Sequence, residues 1–396
     1  MRLAVIGDTQ HYRDAEGRLC ALEPVVNQLD RWAGLFDEVV LCAPLDPGPP
    51  PAGFAPYRSA NLSIDPLRRG GGNTVLAKLG MLRHLGPWAW RTRRVAKSVD
   101  AVHLRCPCNI GLVAILSTWK AGCLRYGMYA GVWQSYEGQP LSYRLQRWLL
   151  ARRSFGGPVN VYADPDPSRP HLEPFFSPSF SSADCEAAAD GAERKIERIR
   201  SGAELRPLRL VSVGRLTPNK NQRTIVDALG RLRSAGVEAT LDLYGDGPCR
   251  GELEAQVAAL GLVDAVRFHG SVDHGEVMAA FAEADLNLLS TRQEGYGKVL
   301  LEGMVHAAVP IFGTSPVSGE ISGHGSRGLV FDVDDAEELE AHVRALLADR
   351  TRWAEMASAA RKYATTVTLD TFEDRVRRML SEHWGVTLPS AADPER

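Results

Sequence analysis

The chain has almost no net charge, no long apolar run and no cysteine framework, and each shortage removes a class of protein. Its 46 Lys and Arg nearly balance 48 Asp and Glu, for a formal charge of −2. That total supplies no field of one sign to recruit nucleic acid, and no nucleic-acid partner is expected. The longest apolar stretch, Ile110 to Trp119, is about half a bilayer span and is broken by Lys120 and Arg125, so no membrane-crossing helix is expected. The opening MRLAVIGD enters a strand pattern at once, with no cationic segment ahead of a cleavable apolar core. No secretory leader is therefore expected, and the expected location is the cytoplasm. Seven cysteines, an odd number at irregular spacing, fit reduced thiols better than a disulfide scaffold. Cys106 and Cys108 flank Pro107, but no second pair follows at zinc-site spacing, and no metal is expected.

What is present is enough apolar material for more than one core. At 396 residues and 43.2 kDa, with 44% hydrophobic and 24% charged residues, two domains are the natural division. RLAVIGD, EVVLCAP, AVHLRCP, LRYGMYAGVW and PVNVYAD read as short strands with helical stretches such as Glu23 to Leu35 and Tyr143 to Arg153 between them. A Pro- and Gly-rich segment, Pro44 to Pro56, reads as a loop, and a proline-rich, serine-rich stretch from Asp164 to Asp184 reads as a linker. After it, strands and helices alternate again, so the expected fold class is α/β with two doubly wound, Rossmann-like sheets. The expected domains are residues 1–180 and 190–368, with a C-terminal amphipathic helix within 369–388.

The stretch from Thr291 to Pro310, TRQEGYGKVLLEGMVHAAVP, carries the most chemistry. ADLNLLS before it reads as a buried parallel strand, and VLLEGMVHAA within it has helical apolar spacing. Glu294 should then stand at the strand's carboxyl end and Glu302 about two turns into the helix. In an open α/β sheet that edge is where ligands bind, and a helix N-terminus entered through glycines offers N–H groups to an anion. A carboxylate at each end of such a turn suits a ligand with both phosphate and hydroxyls, such as a nucleotide sugar.

The Glu, seven residues, Glu spacing resembles the signature of the retaining GT-B glycosyltransferases of family 4, the group 1 type that includes sucrose-phosphate synthases and many bacterial polysaccharide and lipid glycosyltransferases. Three more segments arrive in that family's order: PLRLVSVGRLTPNKN with Arg215 and Lys220 five residues apart, ATLDLYGDGP running into a glycine turn, and VRFHGSV ending in His-Gly. The resemblance is specific over about residues 205 to 335. It implies a metal-independent enzyme, with an acceptor domain first, a donor domain second, and the terminal helix returning to the first domain. The implied donor is a UDP- or GDP-sugar, with no cofactor beyond it.

Within that resemblance Arg215 and Lys220, after Gly214, are expected to meet the diphosphate, where fixed cations stabilise the charge that grows as the glycosidic bond breaks. Glu302 is expected to accept from the ribose hydroxyls, because a carboxylate in an otherwise apolar run needs a partner. Glu294 should lie nearer the sugar, and the N–H groups of Gly295, Tyr296, Gly297 and Lys298 should complete the phosphate and sugar contacts. The base is expected near the turns Gly245-Asp246-Gly247 and Phe268-His269-Gly270, whose side chains do not select uracil over guanine. Departures from the family pattern fall in the first half: its first loop, GDTQHYRDAEGR, lacks a glycine pair, and LRYGMYAGVWQS has no histidine. His11, Tyr12, Arg13, His103 and Arg105 are the candidates there for acceptor or phosphate contact.

Charge is distributed unevenly. Residues 1–180 carry 21 Lys and Arg against 14 Asp and Glu, and the remainder carries 25 against 34. Arg68, Arg69, Lys78, Arg83, Arg91, Arg93, Arg94, Lys97, Arg144, Arg147, Arg152 and Arg153 are interleaved with Trp88, Trp90, Trp119, Trp133 and Trp148. Such a surface can hold a protein to the anionic inner face of a membrane, or it can be solvated arginines around core tryptophans. The expectation is therefore transfer of a hexose from a nucleotide sugar to a saccharide or lipid-linked acceptor, with retention. A nucleotide-sugar binding protein without turnover, or an epimerase on the same scaffold, is the alternative.

Overall fold

The computed structural model describes residues 1–70, 75–163, 166–202 and 207–389. Asp164, the first residue of the stretch read as a linker, and the side chain of Lys78 lie outside the described residues. The chain divides into two compact units, Met1–Phe176 with the segment from Leu369 onward, and Ser177–Thr368.

The first unit is built on seven parallel strands, Arg2–Ile6, Glu38–Pro44, Leu62–Leu67, Ala101–Cys106, Leu124–Val132, Val159–Tyr162 and Leu172–Pro174. Across the sheet they stand third, second, first, fourth, fifth, sixth, seventh. Leu3, Ala4, Val5 and Ile6 are all buried, as a central parallel strand covered on both faces requires. Two of these strands were not legible as such. LSIDPL and LEP each contain a proline, which argues against a central strand, and they form the two outer edges of the sheet, where a missing N–H is tolerated. The loop expected from Pro44 to Pro56 also needs correction. Phe54–Pro56 pairs with Leu19–Leu22, which pairs with Tyr12–Arg13, in a small antiparallel sheet.

The stretch read as a linker is packed in its second half. Phe175 and Phe176 stack at 5.4 Å, and Phe372 of the terminal helix meets both edge-on, at 5.2 and 6.2 Å. That helix, Leu369–Trp384, buries Leu369, Phe372, Val376, Met379 and Leu380 at helical spacing. Its first turn is held by Arg31, 2.8 Å from Asp370 and 3.3 Å from Glu373, and its last by Trp384 Nε1 donating to the Arg125 carbonyl at 3.0 Å. Prolines and serines signalled disorder here, but three phenylalanines supply apolar area that outweighs the signal.

The second unit repeats the plan with six parallel strands, Leu208–Val213, Ala239–Tyr244, Val266–Gly270, Leu286–Leu289, Val309–Gly313 and Leu329–Phe331, standing third, second, first, fourth, fifth, sixth. This order reverses direction between Leu208–Val213 and Leu286–Leu289, and the loops leaving that pair of strands open a crevice at their carboxyl ends. Among the described residues no helix is long and apolar enough to cross a membrane, and no disulfide forms.

Phe372 is 1% exposed, so Phe372→Ala removes a ring from a closed aromatic cluster. The expected cost is about 3–5 kcal/mol, read as a lowered denaturant midpoint of the first unit's transition.

Candidate functional site

The crevice of the second unit is assembled by tying two loops together at their backbones. One loop, 214–221, leaves Leu208–Val213, and the other, 290–297, leaves Leu286–Leu289. The Ser290 hydroxyl faces the carbonyls of Lys220 and Asn221 at 3.0 and 2.7 Å, Arg292 N donates to Asn219 O at 2.9 Å, and Asn219 Nδ2 donates to Gln293 O at 3.2 Å. Asn221 adopts φ 49°, a left-handed conformation that Asn tolerates, and its amide donates to Val333 O at 2.7 Å. The result brings Lys220 Nζ to 2.7 Å from Glu294 Oε2, each about a quarter exposed. Two residues 74 positions apart thus become one ion pair at the switch point.

Arg215 is treated differently. Its carbonyl accepts from Gln222 Nε2 at 3.1 Å, while its side chain is exposed and, among the described residues, makes no ion pair. The structure therefore joins Lys220 to Glu294 and leaves Arg215 turned to solvent on the same loop.

Glu294 leads through Gly295 and Tyr296 to Gly297, which sits at φ 76° before the helix Lys298–Val305. A Cβ at Gly297 would also fall 2.9 Å from Leu300 Cδ1, so both conformation and space favour glycine. No side chain caps this helix, which leaves its N-terminal dipole directed at the turn. Asn287, buried in the preceding strand, donates to Val299 O at 2.7 Å and pins the first turn of the helix. Gly303 lets it approach, since a Cβ there would lie 2.5 Å from the Asn287 amide nitrogen. Tyr296 is buried, with its hydroxyl 3.4 Å from Glu320, which also accepts from Tyr363 at 2.9 Å.

Glu302 is 4% exposed and accepts a hydrogen bond from the Ser179 hydroxyl. The partner a buried carboxylate requires is therefore a serine from the stretch read as a linker. Nothing in FFSPSFSSAD signals this role, because the contact spans 123 positions.

The two glycine turns expected near the base interlock with the 214–221 loop. A Cβ at Gly245 would stand 2.2 Å from Gly214 O, and one at Gly247 2.3 Å from Leu216 O. In that space run backbone bonds from Gly214 to Tyr244, Leu216 to Asp246 and Gly245 to Gly270, at 2.9, 3.0 and 2.7 Å. Asp246 Oδ1 accepts from Gly247 N at 2.7 Å. Phe268 lies under the Arg250 guanidinium at 5.7 Å. His269 stacks on Tyr244, centroids 4.1 Å apart, and its Nε2 lies 2.6 Å from Asp242. Its ring is held along the sheet rather than presented from the turn.

The first unit corrects two candidates. His103 is fully buried between Trp32 and Tyr126, at 4.6 and 4.5 Å, and burial holds its pKa well down. His11 is also buried, against the Tyr57 hydroxyl at 3.0 Å, with its pKa lowered to about 4 by desolvation. Both are neutral core rings. Tyr12 packs edge-on to Phe54, and Arg13 donates to Gly17 O at 2.6 Å. Arg105 is the penultimate residue of the strand Ala101–Cys106 at this sheet's switch point and donates to Gln28 Oε1 at 3.1 Å. Beside it stands Asp8, missed in the sequence. Its carboxyl is lined by protein but opens to solvent, and partial desolvation raises its pKa against the pull of Arg105 and Arg69. Its position just after the first strand was the available signal.

His306 closes the helix Lys298–Val305 as a half-buried ring. Desolvation lowers its pKa to about 4, with Lys195 adding to the effect. Among the described residues no group of three or more His, Cys, Asp or Glu is arranged to hold a metal ion.

Two parallel sheets, each with its order reversed beside its first strand, define the GT-B architecture. Solved structures agree: sucrose-phosphate synthase from Thermosynechococcus elongatus matches with a TM-score of 0.70 and 15% identity over 97% of this chain and 99% of that one. Anabaena Alr3699/HepE in complex with UDP and glucose matches at 0.68 and 16%, over 96% and 99%. At such identity the likeness is one of fold. Residues 193–366 match the model of the family described as glycosyl transferases group 1. A GDP-mannose-dependent alpha-(1-6)-phosphatidylinositol monomannoside mannosyltransferase of Mycobacterium tuberculosis is 33% identical over 163 residues, 39% of this chain. The match spans 42% of that relative's length.

Ser179→Ala leaves a buried carboxylate without its donor. The expected loss is about 1–3 kcal/mol in denaturation of the second unit, and Ser179→Thr, which keeps the hydroxyl, should retain most of it.

Proposed function

We propose that the chain is a retaining, metal-independent glycosyltransferase of family 4. It moves a hexose from a UDP- or GDP-sugar to a saccharide or lipid-linked acceptor in bacterial polysaccharide or glycolipid synthesis. The observation that carries this reading is the Lys220–Glu294 pair at the switch point of the second sheet, beside an uncapped helix N-terminus and an exposed Arg215. In this reading the donor's diphosphate enters between that helix N-terminus and the two cations. As the anomeric C–O bond lengthens, negative charge gathers on the leaving phosphate, where Lys220 and Arg215 stabilise it. Positive charge gathers on the sugar ring, where Glu294 stabilises it without forming a bond. Glu302, oriented by Ser179, takes the ribose hydroxyls. The base lies at the turns of Gly245 to Gly247 and Phe268 to Gly270, read mainly by backbone. The first unit receives the acceptor, with Asp8 and Arg105 at its own switch point.

The donor nucleotide is framed by two likenesses. One relative is named for GDP-mannose, and one structure of the same fold holds UDP and glucose. A nucleotide-sugar binder without turnover is the second reading, favoured by the burial of His11 and His103, which removes these two rings as acid–base groups.

Thermal shifts with UDP, GDP, ADP, CDP and TDP test the donor site. One nucleotide is expected to raise the midpoint of the parent protein and not of Glu302→Ala, since ligand at a hundredfold over Kd adds about 2.7 kcal/mol. With the matching nucleotide sugar, slow hydrolysis in the absence of acceptor is expected. Lys220→Ala should reduce that rate by about 10²–10³ with nucleotide still bound. Binding without any hydrolysis or transfer would instead establish the second reading.

A further inference from the structure

Among the described residues nine large apolar side chains are exposed, and six of them lie on three helices of the first unit. Leu82 and Trp90 lie on the helix Val75–Ala96, Leu116 on Asn109–Ser117, and Leu141, Leu145 and Trp148 on Leu141–Leu150. These three helices pack side by side in the first unit. The last of them is the most marked. Leu141, Leu145 and Trp148 recur at i, i+4 and i+7 with 77, 41 and 53% of their surface exposed, while Gln146, Leu149 and Leu150 face inward. An isolated exposed leucine needs no explanation, but a stripe along one helix face does.

The charge around the stripe is of one sign. From residue 75 to 163 the acids are Asp100 and Glu137, and none lies on the three helices. Arg83, Arg93, Arg94, Lys97, Lys120, Arg144, Arg152 and Arg153 are exposed across the same helical layer. Arg94 and Arg152 lie over the rings of Trp90 and Trp148, at 5.3 and 4.0 Å, so the cations stand above the aromatic faces and can follow them to an interface. A groove of about 730 Å3 runs beside the last helix between Trp133, Arg144, Trp148, Arg152 and Arg169.

We propose that this helical layer, centred on Leu141–Leu150, docks the protein on an anionic phospholipid surface, with Leu141, Leu145 and Trp148 entering the headgroup region and the arginines pairing with lipid phosphates. A second copy of the chain would bring the same cations face to face, which argues against self-association through this layer. Apolar side chains reach the acyl boundary while the cations meet negative headgroups, so both contributions act at one face. The inference deepens the reading of a lipid-linked acceptor, but it stands on the first unit's surface and not on donor chemistry.

Flotation with phosphatidylcholine vesicles, with and without phosphatidylglycerol, at low and high salt, tests it. The parent is expected to float with the anionic vesicles and to be released by salt, with a blue shift of tryptophan fluorescence lost in Trp148→Ser. Arg144→Ser with Arg152→Ser, and Leu145→Ser with Trp148→Ser, should each weaken partition by about tenfold or more, because two contacts of either kind are removed. All four positions are exposed, and the nucleotide thermal shift should be unchanged in both variants, which separates loss of docking from misfolding and from failure of the donor reading. A parent that floats with neither vesicle, that floats unchanged in both variants, or whose stripe instead mediates dimerisation in sedimentation, overturns the proposal.

Discussion

The charged site of the second unit depends on backbone meeting backbone. Where Gly245 and Gly247 pass Gly214 and Leu216, carbonyl oxygens occupy the space a Cβ would need, and three loops become one hydrogen-bonded layer. The 214–221 loop of that layer is in turn tied to the 290–297 loop through Ser290, Asn219 and Arg292, and Lys220 meets Glu294 across the tie. The 2.7 Å pair thus forms between side chains whose loops are already joined by hydrogen bonds. Pre-organisation of this kind keeps opposite charges at fixed places before any ligand arrives, so no reorganisation is needed when charge develops.

The same logic explains residue choices that look odd one at a time. Asn287 in an apolar strand is a tether to the following helix, Gly303 in that helix is the clearance for the tether, and Ser290 anchors the neighbouring loop. Glu302 in VLLEGMV is tolerated because Ser179 donates to it. Asn287, Ser290 and Glu302 each bond to a group in another element or loop, and the first two of these bonds brace the loops on either side of the turn between Glu294 and Lys298. Function in the proposed reading is thus a property of the bracing as much as of the acids and cations themselves.

The first unit uses its parallel sheet for another purpose. Histidines that could have been acid–base groups are spent in the core against Trp32, Tyr126 and Tyr57, and the carboxylate left at the strand end is Asp8. On one helical layer the arginines outnumber what a neutral surface would show, and the apolar side chains between them are left uncovered. The two units share a topology and differ in what they expose.

Local pattern was sufficient for much of this. Apolar runs such as RLAVI, LRLVSV and LNLL, bounded by glycine turns, determined the central strands, because a strand buried on both faces must read as continuous hydrophobicity. Spacing alone also put Glu302 inside a helix, about one turn from its start where two were expected, while Glu294 lies in the loop beyond the strand's carboxyl end. Tertiary structure decided the rest. The proline-bearing edge strands exist because a neighbour offers pairing on one side. The stretch read as a linker is packed because Phe372 closes on Phe175 and Phe176. Lys220 meets Glu294, and Ser179 meets Glu302, across 74 and 123 positions. Periodicity reports which face of an element is buried. It carries no information about which distant residue will be waiting there, because that depends on strand order, and strand order is settled only when the whole sheet assembles.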